Sequence, residues 1–149
     1  MSKKTVARNR KALHEYHIID TYEAGIVLAG PEVKSVRAGK VSLGEAYARI
    51  DGNEAYIHGL HISPYDPASR YNVDPVRTRK LLLHRREIRR LIGATQQEGF
   101  TLVPLEIYLK DGYVKLALAL GRGKKSYDKR EAARRRDADR EIQRAVRQR

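Results

Sequence analysis

Histidines and carboxylates are the side chains in this sequence best equipped to move a proton. His14 and His17 flank Glu15 and Tyr16 in a basic segment, and Glu23 follows closely. Phosphodiester cleavage needs proton transfer at both the attacking and the leaving oxygen. His14 with Glu23 would then be the acid and base of a small RNA-processing enzyme. No second matched constellation accompanies them, and His and Tyr also stack on bases with no chemistry at all. His58 and His61 are three apart, which in a strand puts them on opposite faces, and no acidic ligand cluster lies near them. The run "GRGKK" from Gly121 lacks the spacing of a phosphate-cradling P-loop. No catalytic residue, metal ligand or cofactor is therefore assigned.

Binding signals are denser. "RNRKALHEY" joins Arg8, Arg10 and Lys11 to Asn9, His14 and Tyr16: cations for phosphates, an amide and two rings for bases. "RTRK", from Arg77 to Lys80, is a second cluster, and Gly123-Lys124-Lys125 a third. The formal charge is +13, and more than half of it falls in the closing segment from Gly121 to Arg149. A basic excess spread over both parts of the chain points to a polyanion, with nucleic acid ahead of membrane. There is no tryptophan and one phenylalanine, too few platforms for a generic single-strand stacker, although nine tyrosines partly offset this. Shape-reading of folded RNA through phosphates and 2′-hydroxyls fits better.

Several classes drop out. The chain has no cysteine, which excludes disulfides and thiolate-bound zinc or iron–sulfur centres. "MSKKTVARNRKALHEY" is positively charged but has no apolar run behind it, unlike a secretory signal. No stretch reaches the ~18 apolar residues of a membrane-spanning helix. A cytoplasmic protein is the expectation.

The elements that must position these residues follow from local patterning. The first eleven residues are polar and basic, and are expected to be poorly ordered without a partner. "EYHIIDTYEAGIVLAG" reads as one or two strands. Pro31 and Gly39 bracket a short helix, with Glu32 in its first turn and Val33 and Val36 inward. Asp51-Gly52-Asn53 joins two strands as a hairpin. The segment from Ser63 to Arg79 holds three prolines and reads as a long surface loop. A helix begins after His84, with Glu87 reaching back to the cap, Leu83 and Ile88 as a staple, and Ile88, Leu91 and Ile92 as its buried stripe. "FTLVPLEIYL" and "YVKLALAL" form a hairpin across Lys110-Asp111-Gly112. Strict alternation would put Thr101, Val103, Leu105, Ile107 and Leu109 on one face, and Pro104 suggests an edge or a bulge. Short antiparallel strands with interspersed helices predict a mainly β fold. The specific expectation is a small antiparallel barrel of oligonucleotide-binding type, with two or three short helices and a basic C-terminal tail.

That tail, residues 125–149 behind a body of residues 1–124, has a thin apolar stripe of Ala138, Ile142 and Ala145. Glu131–Arg135 and Arg135–Asp139 are favourable i,i+4 pairs, while Arg130–Arg134 and Arg136–Arg140 repel. An isolated helix of this length is marginal, so the tail is expected to be disordered when free and helical on ribosomal RNA.

The stretches "NRKALHEY", "YEAGIVLAGPEVKSVRAGK", "DPVRTRKLLLHRREI", "GFTLVPLEIYL" and "GRGKKSYDKREAARRRDADREI", in that order, resemble the SsrA-binding protein (small protein B) family. The resemblance covers nearly the whole chain, from about Asn9 to Ile142. It implies a bacterial RNA-binding protein of trans-translation, with an oligonucleotide-binding barrel and no catalytic activity. The barrel would hold the tRNA-like domain of transfer-messenger RNA. The tail would act in the mRNA channel and decoding centre of a stalled ribosome, after arrival with elongation factor Tu and GTP. A monomer is expected.

Residue by residue, the resemblance places Asn9, Lys11, His14, Tyr16, Glu23, Lys34 and Arg37 on the RNA face. Arg77, Arg79 and Lys80 join them, Leu82 packs on an unstacked base, and Lys124 closes the patch. Lys125, Asp128, Lys129 and Arg130 match the ribosome-acting motif. For Glu23 an ion pair within the fold is the competing role. A basic ribosomal or ribosome-assembly protein on the same barrel is the alternative function.

Overall fold

Turn chemistry cuts the chain into its strands. In the computed structural model, which describes residues 3–65 and 73–124, Gly52 and Gly112 adopt φ of 62° and 83° at two hairpin tips. The first tip joins β4 (Tyr47–Asp51) to β5 (Glu54–His58), and the second joins β8 (Phe100–Lys110) to β9 (Tyr113–Gly123). The remaining strands are β1 (Lys3–Arg8), β2 (Tyr16–Ile26), β3 (Val41–Ser42), β6 (His61–Ile62) and β7 (Arg79–Leu82). Among the described residues three helices intervene: α1 (Arg10–Glu15), α2 (Gly30–Arg37) and α3 (Arg85–Thr95).

The strands form one antiparallel sheet in the order β1-β8-β4-β5-β7-β2-β9, which curls until β9 pairs back onto β8. The ring is only partly closed. Its β4–β8 seam is the single pair Ala48↔Leu102, and its β2–β7 seam is Gly25↔Leu82 and Ile26↔Leu81. β3 and β6 make a separate small ladder. The interior is filled by Ala24, Ala55, Ile57, Leu81, Leu102, Ile107, Leu116 and Leu118, all essentially solvent-free. Each large aliphatic among them contributes ~1.5–3 kcal/mol on leaving water. Leu91 of α3 and Val36 of α2 enter the same core.

Both longer helices start as their sequences require. The backbone N–H of His84 donates to Glu87 at 3.0 Å, and that of Ala29 donates to Glu32 at 2.9 Å. Gly39 closes the α2 end at φ 77°.

Three expectations are corrected. Residues 3–8 are an ordered strand, because the free edge of β8 offers them backbone partners whatever their side chains. A helix, α1, stands where none was predicted. Its cap is Asn9, whose side chain accepts from Ala12 N, and Ala12 packs on Val103 and Ala119 outside the barrel. Finally, the inward face of β8 does not alternate throughout. A bulge between Pro104 and Glu106 reverses the register, so Leu102 and Ile107 point into the barrel while Val103 points out beneath α1.

Candidate nucleic-acid interface

The alternation of β2 buries Tyr22 and Ala24 and leaves Glu23 on the outer face. Across β9 from it stands Ala117, and beyond Ala117 stands Glu106 of β8. Alanine in the middle leaves room for Tyr108 to lie across, and its hydroxyl donates to Glu23 Oε2 at 2.5 Å. Lys110 Nζ approaches the same carboxylate at 3.3 Å, and Lys3 Nζ lies 4.4 Å from the Tyr108 ring centre. The hydrogen bond from Tyr108 chiefly, and then Lys110, holds the Glu23 carboxyl below its ordinary range despite partial desolvation. Burial first, and then Glu23, pushes the Tyr108 hydroxyl well up, so it remains a donor.

Two residues along β2, Gly25 pairs with Leu82 on one side and with Lys115 on the other. Leu82 is 52% exposed, and its Cβ stands 3.2 Å from where a Gly25 side chain would begin. Arg37 Nη2, at the end of α2, donates to the carbonyl of Gly112 at 3.2 Å. The last turn of α2 thereby meets the β8–β9 hairpin beside Lys110. Glu23, Arg37 and Leu82 are thus gathered at one end of the barrel, together with Lys110 and Lys115, which the sequence reading had not singled out. Lys34, also on α2, sits 5.5 Å from the Tyr65 ring. Lys80 is on the outer face of β7, paired with Glu54 at 3.4 Å.

A second group surrounds α1. Lys11 and His14 are exposed, Tyr16 is half-buried, and Lys124 Nζ donates to the Leu13 carbonyl at 3.3 Å. About seven residues of β2, roughly 23 Å of strand, separate Tyr16 from Glu23. Glu23 is engaged by Tyr108 and Lys110, and among the described residues no hydrogen bond or ion pair joins it to His14. Among the described residues no cluster of three or more His, Cys, Asp or Glu is arranged to hold a metal ion.

Two expected RNA-facing residues are buried instead. Asn9 is 6% exposed: its Nδ2 donates to the Pro104 carbonyl at 2.9 Å while its oxygen caps α1. Arg79 has no exposed surface, and its Nε donates to Glu32 at 2.6 Å. Arg79 Nη1 donates to Leu60 O at 2.7 Å and Nη2 to Pro75 O at 3.0 Å. Arg77 donates to the same Glu32 carboxylate with its Nε and Nη2, and keeps 31% of its side chain exposed. Burial alone would raise the Glu32 carboxyl, but hydrogen bonds from Arg77, Ala29 and Arg79 outweigh it and hold the group below its usual range. The basic run therefore divides: Arg79 is structural, Arg77 is shared, and Lys80 is on the surface. The motif residues Lys125, Asp128, Lys129 and Arg130 lie outside the described residues.

A basic, tyrosine-bearing outer surface on a barrel of this topology narrows the families to consider. The family model described as SmpB protein matches residues 6–148. The chain belongs to this family. Among its SmpB relatives, the "SsrA-binding protein" of Geobacillus sp. (strain WCH70) is 58% identical over 98% of this chain and 94% of that protein. The "SsrA-binding protein" of Bacillus subtilis (strain 168) is 56% identical over 98% of this chain and 94% of its own length. A solved structure described as "tmRNA-SmpB: a journey to the center of the bacterial ribosome" contains a similar chain. It superposes with a TM-score of 0.68 at 55% identity, covering 79% of this chain and 83% of that one.

Proposed function

We propose that this chain binds SsrA RNA, the transfer-messenger RNA, and acts with it on the ribosome in trans-translation. The observation that carries the reading is identity of more than half the residues, end to end, with proteins named for binding SsrA RNA. The gathering of Glu23, Arg37, Leu82, Lys110 and Lys115 at one barrel end supports a body, residues 1–124, that grips folded RNA. Cations there neutralise phosphates, Leu82 offers an apolar surface to an unstacked base, and Glu23 accepts from a base amino group or a 2′-hydroxyl.

In the same reading residues 125–149 act on the ribosome through Lys125, Asp128, Lys129 and Arg130. The RNA complex carries elongation factor Tu with GTP, and the chain works as a cytoplasmic monomer that catalyses nothing. The test is capture of the full chain from a bacterial extract followed by sequencing of the retained RNA. One dominant tRNA-like RNA is the expected result; recovery of ribosomal RNA alone would favour the assembly-protein alternative. Replacing Lys125, Lys129 and Arg130 by alanine should leave RNA capture intact and abolish ribosome rescue.

A further inference from the structure

Between α1 and the segment before β4 lies a cleft of about 370 Å³, lined by Lys11, Glu15, Tyr16, Glu45 and Tyr47. Its volume is in the range of small-ligand sites, roughly 300–1,000 Å³. Its walls are fixed. Gly59, at φ 75°, passes so close beneath the segment that a Cβ there would stand 2.9 Å from the Glu45 carbonyl. On the opposite wall Tyr16 packs against Gly121, where an added Cβ would lie 3.1 Å from the Tyr16 Cβ.

At the rim stands Tyr47, 42% exposed. Ala48 and Ile50 line the barrel interior, so Tyr47 is directed outward, and its cross-strand partner is His58. The two rings stack with centroids 5.3 Å apart and planes 18° from parallel. His58 is held at its ring edge, since its Nδ1 lies 3.2 Å from Thr78 Oγ1, just before β7. A stacked aromatic pair with one ring well exposed is what an unpaired base stacks on.

The charges of the cleft select which part of a nucleotide enters. Glu15 and Glu45 outnumber Lys11, and Lys11 meets Glu45 at 3.5 Å. Phosphate would be repelled here. Carboxylates instead accept from the exocyclic amino groups of adenine, cytosine or guanine. The phosphates belong outside, where Arg10 opens α1 and Lys124 lies against it.

We infer that Tyr47, backed by His58, is a stacking platform at the mouth of a pocket for one unpaired, amino-bearing RNA base. The inference rests on the RNA-binding reading above and adds a site to it on the α1 side of the barrel. The base comes either from SsrA RNA or from ribosomal RNA.

The chain has no tryptophan, so Tyr47→Trp in the full chain reports this position alone. Its fluorescence would be titrated with SsrA RNA in one arm and small ribosomal subunits in another. A blunt RNA duplex at equal phosphate serves as the control. Quenching is expected in at least one arm and not with the duplex, and the responding arm identifies the source of the base. In that arm Tyr47→Ala binds about tenfold more weakly, and Tyr47→Phe binds like the native chain. Silence in both arms, equal quenching by the duplex, or unchanged binding of Tyr47→Ala overturns the platform. A native chain that fails to retain SsrA RNA refutes the functional reading instead, and the ribosomal arm then decides the platform by itself.

Discussion

Arg79 and Glu32, 47 residues apart, meet inside the protein through a 2.6 Å bond from Nε to the carboxylate. Neither side chain reaches solvent beyond 4%. Because Arg79 also binds the carbonyls of Leu60 and Pro75, this one contact ties α2, the segment before β6 and the approach to β7 together. It anchors the first turn of α2, the helix whose last turn carries Lys34 and Arg37.

Glu32→Gln should therefore be a folding lesion. It leaves a buried guanidinium without its counter-charge, a loss of about 3–5 kcal/mol. The urea midpoint measures it, and a variant within 1 kcal/mol of the native chain (about the effect of a surface change) would contradict the assignment. Arg79→Lys should fall too, since one ammonium with three N–H groups cannot replace bonds to four acceptors, on Glu32, Leu60, Arg77 and Pro75.

The same pair gives a pH dependence. The folded pKa of Glu32 is depressed below its ordinary 4.5, so its contribution is complete above that value. It fades as pH falls through the lower, folded value. Urea midpoints followed from neutral pH into acid should decline for the native chain. In Glu32→Gln this component of the acid limb should be absent.

Tyr108→Phe removes the hydroxyl that donates to Glu23 while keeping the ring beneath Lys3. Stability should drop by about 1 kcal/mol, the usual net worth of one such bond. The carboxyl of Glu23, freed of its main stabilising donor, should titrate at higher pH. The part of SsrA RNA binding that needs ionised Glu23 should then disappear earlier on acidification. Binding curves for the two proteins across pH would coincide if Tyr108 did not position Glu23.

Leu82→Ala separates interface from core. With half its side chain in solvent, Leu82 should cost under about 1 kcal/mol of stability when truncated. Its neighbour Leu81, fully buried, should cost ~2–5 kcal/mol. SsrA RNA affinity, measured by filter retention, should fall about tenfold for Leu82→Ala if the exposed leucine packs on a base.

Local signals carried the architecture. The Glu87 cap, the Asp111-Gly112 tip and the bracketing of α2 by Pro31 and Gly39 act within a few residues, so the sequence displays them directly. β1 was invisible because its order comes from the backbone of β8, not from its own side chains. Arg79 was misplaced although a signal existed: in a strand with Leu81 inward, the residue two before it points inward as well. A cluster read as uniformly basic hid that alternation. Its partner Glu32 shows in the sequence only as a first-turn residue. The cleft beside α1 needed Asn9, Glu45, Tyr47 and Thr101 from distant segments, which no local pattern brings together.

A sheet that returns on itself has few places where another copy of the chain could add a strand. The long strand left at the end of this one is β1, paired among the described residues with β8 alone. It carries Lys3, Lys4 and Arg8, all exposed. Two such borders brought together would set like charges side by side, which opposes edge-to-edge self-association. Arg8, which first counted in a cluster for gripping RNA, here joins Lys3 and Lys4 in a charge repulsion at the sheet's edge.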